Sequence, residues 1–186
     1  MATRETYFDI LGLPQRYHTA PSELEERYHA AARAHHPDRH VKSDQKTRVQ
    51  SALRTAQLTE AYRTLRDPVK RAEYLVSLEG IKLSDERDSY KVDPAFLADI
   101  LELRESLADA RMEGDEARVK ALGEDVRGRS RQAMGEIDAA FRRYDEGDKS
   151  VVRAIADALV AQRYYRRFLD ELEAHEEART EREEQL

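Results

Sequence analysis

An imidazole and a carboxylate, His36 and Asp38, stand on either side of Pro37 in the run Ala34-His35-His36-Pro37-Asp38-Arg39-His40. Three chemistries are open to such a group: proton transfer, metal ligation and recognition. Acid–base work needs burial or a third group to tune a pKa, and an exposed proline loop supplies neither. His35, His36 and His40 bring ligand donors close together, but Pro37 interrupts the helix that would set positions 36 and 40 on one face. No nucleophile motif, phosphate loop or metal triad stands elsewhere in the chain. The chain has no cysteine, which removes disulfides and any thiolate ligation of zinc or iron. Recognition fits best: a kinked loop holding an imidazole and an anion at fixed separation offers both to a partner's hydrogen bonds. Asp38 as a plain helix N-cap is compatible with that reading.

The loop needs two helices to hold it. Pro37 has no amide hydrogen and biases His36 away from helical angles, so the helix before it must stop there. Pro21-Ser22 opens that helix, with Glu23, Glu25 and Glu26 in the first turn where the dipole favours them. Leu24, Tyr28, Ala31 and His35 share one stripe at helical spacing, and Arg27 and Arg33 lie off it, facing solvent. A second helix is expected from Ser43-Asp44 to Arg66, with Val49, Leu58, Ala61, Tyr62 and Leu65 inward. Asp67-Pro68 reads as N-cap and first helical residue of the next helix, which Gly80 ends.

Several stretches around the tripeptide carry a resemblance. Tyr7-Phe8-Asp9-Ile10-Leu11-Gly12-Leu13, Leu24-Glu25-Glu26-Arg27-Tyr28, Leu58 to Pro68 and Arg71-Ala72-Glu73-Tyr74-Leu75 together resemble the J-domain of DnaJ-type co-chaperones. Arg71 to Gly80, Asp93-Pro94-Ala95-Phe96-Leu97 and Leu101-Glu102-Leu103-Arg104-Glu105 resemble HscB, the J-protein family of iron–sulfur cluster assembly, and the likeness runs from Tyr7 to about Leu172. The resemblance implies that His36, Pro37 and Asp38, with Arg27 and Arg33, meet a DnaK-type ATPase chaperone, in this family its HscA relative. His35 stands where J-domains often have tyrosine.

Beyond a strongly polar stretch from Ser84 to Val92, three further helices with short loops imply an antiparallel bundle: Asp93-Pro94 to Glu113, Asp115 to about Tyr144, and Asp148 to beyond Leu172. On the first of them Phe96, Ile100, Leu103, Leu107 and Ala110 form a narrow core stripe. Leu97 and Leu101 then point roughly 100–140° away from its centre. Ringed by Asp99, Glu102 and Glu105, they read either as an exposed apolar patch with an acidic rim or as the second face of a helix buried on two sides. The resemblance implies that this face binds the cluster scaffold, of IscU type, through Leu97, Ala98, Leu101, Glu102, Glu105 and Phe168.

The expected architecture is all-α and L-shaped: a J-domain hairpin over residues 1–83, a linker over 84–92 and a three-helix bundle over 93–186. Each part is expected to have its own apolar core, so that a fragment ending near Leu83 folds. A net charge of −6 argues against a nucleic-acid binder, whose affinity rests on neutralising phosphates. No apolar run has the length to cross a bilayer, and a folded pattern from Tyr7 leaves no room for a leader, so a cytoplasmic protein without membrane contact is expected. No metal or cofactor is called for. The expected role is a co-chaperone, not an enzyme, that stimulates a DnaK/HscA-type ATPase and delivers an IscU-type scaffold to it; alternatives are a J-protein for another client and a purely structural helical adaptor.

Overall fold

The computed structural model describes residues 5–35, 44–83 and 90–183, with side chains as far as His175. Among them the regular elements are all helical: α1 (Tyr7–Leu11), α2 (Pro21–Ala34), α3 (Gln45–Arg66), α4 (Pro68–Leu78), α5 (Pro94–Glu113), α6 (Glu116–Asp145) and α7 (Val152–Glu183). Their starts follow local chemistry. Thr6 and Asp9 form a reciprocal capping box on α1. Asp44, Asp67, Asp93 and Asp115 each turn a carboxylate back onto a first-turn amide of α3, α4, α5 and α6. Pro68 and Pro94 occupy first helical positions, where the missing N–H costs nothing. Gly114, at φ 69°, takes the left-handed turn that closes α5 before α6 begins.

The antiparallel pair α6 and α7 is the spine of the molecule, and each of its ends carries a different core. Near the α6–α7 connection, Ile137, Phe141 and Tyr144 of α6 and Val152, Ile155, Ala156 and Leu159 of α7 belong to one buried cluster with Phe8, Leu24, Leu58, Leu65, Leu75 and Val76 of α1–α4. Toward the other end, Val126 and Ala133 of α6 and Tyr165, Phe168 and Leu172 of α7 close on Ile100, Leu103 and Leu107 of α5.

This arrangement corrects the expectation of two separate apolar cores. The N-terminal helices and the bundle share the first cluster, because the α6 stripe continues past the reach of α5 and needs a second cover. Tyr17 stacks on Phe141 at 4.1 Å between centroids with only 12° between the planes, joining the two parts directly. Most of the stretch expected as linker, residues 84–89, lies outside the described residues. Tyr90, at its end, donates its hydroxyl to Asp157 of α7 at 2.7 Å and lies under the Arg153 guanidinium.

Candidate functional site

The hairpin comes first. Tyr28 of α2 and Tyr62 of α3 stack at 4.3 Å, which sets the two helices side by side. At the end of α2 the His35 amide donates to Ala31 and its carbonyl accepts from two α3 hydroxyls, the buried Ser51 at 2.7 Å and Thr55 at 3.3 Å. Where the chain re-enters α3, the Asp44 carboxylate accepts the Thr47 amide at 2.8 Å, and that interaction with Thr47 holds its pKa below the ordinary value. Both ends of the intervening loop are thus pinned to the first turns of one helix. His36, Pro37 and Asp38 lie outside the described residues. Arg27 and Arg33 are exposed on α2 with no ion-pair partner among the described residues, so their charge is available to an anionic surface.

The second candidate face is on α5. Ile100, Leu103 and Leu107 are buried, whereas Leu101 is 60% exposed. Leu97 is half-buried, and Ala98, Glu102 and Glu105 are exposed. The outward leucine and its carboxylate neighbours therefore occur as the helical geometry requires. Two expectations are corrected. Phe168, expected to add an anchor to this face, is 0% exposed and sits in the core beside Leu103 and Leu107, so it supports α5 from below and has no surface to offer. Asp99, expected in the acidic rim, is half-buried and ion-paired with Arg129, which also holds Asp125; its charge is largely spent inside the protein.

Between the two faces lies a polar seam that sequence reasoning missed. Arg71, only 8% exposed, donates from Nε to the Leu65 carbonyl and from Nη1 to the Tyr17 carbonyl, both at 2.6 Å. Desolvation pulls its pKa below the usual guanidinium value, against the opposing pull of Tyr17 and Asp67. The Asp145 carboxylate accepts the Tyr17 and His18 amides at 2.8 and 2.9 Å, and the His18 ring lies between Asp145 (2.8 Å) and Asp138 (3.0 Å), both of α6. Glu79 accepts from the Tyr144 hydroxyl at 2.6 Å and the Lys149 ammonium at 2.8 Å, and these two donors hold its pKa below the ordinary carboxylate value. Arg163 of α7 pairs with Glu73 of α4 at 2.8 Å. The seam has no reacting geometry; it fixes the hairpin relative to α5. The one advance signal was Arg71, a charge one residue before the buried Ala72, and charge alone pointed it outward.

Among the described residues no cluster of three or more histidines and carboxylates could hold a metal, and no helix is long and apolar enough to cross a membrane.

Comparison with known proteins covers both halves of the chain. Residues 6–74 match the family model of the DnaJ domain, and residues 92–173 match that of the HSCB C-terminal oligomerisation domain. The fold is similar to the solved structure of chaperone HscB from Vibrio cholerae, at 29% identity over 93% of this chain and 98% of that one, with a TM-score of 0.70. Against the human co-chaperone HscB the values are 26% identity, 95% and 84% coverage, and 0.71. The Jac1 co-chaperone from Saccharomyces cerevisiae shares the fold at 22% identity, 94% and 95% coverage, and 0.66.

Proposed function

Since the chain belongs to the HscB-type J-domain co-chaperones, we propose that it stimulates ATP hydrolysis by an Hsp70-type chaperone of the DnaK/HscA kind and brings an IscU-type iron–sulfur scaffold to it. His36, Pro37 and Asp38 press on the ATPase and favour its hydrolysing state, while Arg27 and Arg33 steer the encounter. The co-chaperone does no bond chemistry itself; it shifts the populations of another protein's states. Having no cysteine, it leaves the cluster to the scaffold's own ligands. Leu97, Ala98, Leu101, Glu102 and Glu105 form the scaffold's landing face.

The observation that carries the scaffold half is the contrast between Leu101 and Leu103, two positions apart on one helix. Leu101 is 60% exposed and Leu103 only 7%. A leucine left in water beside exposed carboxylates suits an apolar anchor for a partner with cationic edges. Titration of the scaffold protein into the full chain by calorimetry tests this. Leu101→Ala is expected to cost about 2 kcal/mol, roughly 30-fold in affinity, with the melting temperature unchanged. Leu103→Ala should lower stability by about 2–5 kcal/mol instead. If Leu101→Ala binds the scaffold as the parent does, this face is not the landing site.

A further inference from the structure

Met112 is 88% exposed, the most exposed large apolar side chain among the described residues, and it stands in the last turn of α5. At about 100° per residue it falls only about 20° from Leu101, three turns earlier on the same helix. The outward side of α5 is in fact divided lengthwise. Leu97, Ala108, Leu101 and Met112 lie within about 60° of one another, and Glu105, Asp109, Glu102 and Glu113 fill the next 80° or so. All eight are exposed except Leu97, which is half-buried. On the far side of the apolar strip stand Arg104 and Arg111, and Arg111 is tied to Glu171 of α7. The helix thus presents an apolar strip about 22 Å long with a carboxylate band along one edge and arginines along the other.

We propose that this whole strip, and not only its N-terminal half, is the docking surface for the scaffold, with Met112 as a second apolar anchor and Asp109 and Glu113 continuing the anionic band. The inference rests on the reading of α5 as the scaffold's landing face. It adds an orientation: the scaffold lies along α5, its own apolar row on the strip and its cationic side toward Glu102, Glu105, Asp109 and Glu113. Charge complementarity selects that direction, because the opposite placement would set the partner's cations against Arg104. Methionine suits the end of such a contact, since its unbranched thioether adapts to an uneven surface.

The test is scaffold titration into the full chain carrying Met112→Ala, Met112→Leu, Leu101→Ala or Leu53→Ala. Leu53, 60% exposed on α3, lies on another helix and serves as control. Met112→Ala is expected to bind about tenfold more weakly and Met112→Leu within about twofold of the parent, with unchanged melting temperatures. The double reversal Asp109→Lys with Glu113→Lys should weaken binding and flatten its dependence on salt. If Met112→Ala and the double reversal bind like the parent while Leu101→Ala is weakened, the lengthwise surface is wrong and the landing face stands. If Leu101→Ala is also unaffected, the landing face itself is wrong. Equal weakening by Leu53→Ala would show the Met112 effect to be nonspecific and overturn the assignment.

Discussion

Cutting Phe141 to alanine should unfold both halves of the molecule together. Phe141 has no exposed surface; its ring stacks on Tyr17 from the N-terminal part and meets Tyr144 edge-on at 5.5 Å. Removal of a buried phenylalanine costs about 3–5 kcal/mol, including the cavity and the lost ring contacts. For a chain of this size each kcal/mol moves the midpoint by about 2–4 °C, so a fall of roughly 6–20 °C is expected. Differential scanning calorimetry of the full chain reads this directly. Because Phe141 lies in a cluster that also contains Phe8, Leu58 and Leu75, the variant and the parent should each melt in a single transition. By the same argument a fragment ending near Leu83, deprived of Phe141, Ile155 and Leu159, should be much less stable than the intact protein. Two transitions, with only the later one moved by Phe141→Ala, would refute the shared core.

Two further predictions concern the seam. Arg71→Leu should destabilise the protein by about 2–4 kcal/mol, because the Leu65 and Tyr17 carbonyls each lose a charge-assisted donor, and urea midpoints would measure it. Glu79 has a folded pKa below its unfolded one, so its stabilisation is complete above the ordinary carboxylate value of about 4.3 and is lost as pH falls through that region. Glu79→Gln should therefore be less stable than the parent at pH 6, with the gap closing toward pH 3 in paired urea titrations; a gap independent of pH would rule out the linkage.

The helices were legible because their ends are written in local chemistry. Asp67-Pro68, Asp93-Pro94 and Gly114 fall at helix boundaries in both sequence and structure. The stripe of Ile100, Leu103, Leu107 and Ala110 was readable for the same reason, since period 3.6 needs no partner to be visible. Association between elements was not. The run Ile137, Phe141, Tyr144 reads as one helix's inner face, but nothing in it says that the cover is α1–α4 and not a third bundle helix. Phe168 shows the same limit: resemblance placed it on the scaffold face, while its own stripe with Tyr165 and Leu172 buries it. Polar seam residues such as His18, Asp145 and Glu79 are ordinary surface letters until the fold brings them together.

The central claim is that the hairpin tip acts on an ATPase while α5 carries its cargo. Single-turnover ATP hydrolysis by the DnaK-type chaperone, measured with this protein, with its Asp38→Asn variant, and each with or without scaffold, tests it most directly. Faster hydrolysis with the parent is expected, further raised by scaffold, and no acceleration with Asp38→Asn although its helical circular dichroism and scaffold binding are kept. Hydrolysis that the parent leaves unchanged, or that Asp38→Asn accelerates equally, would contradict the account.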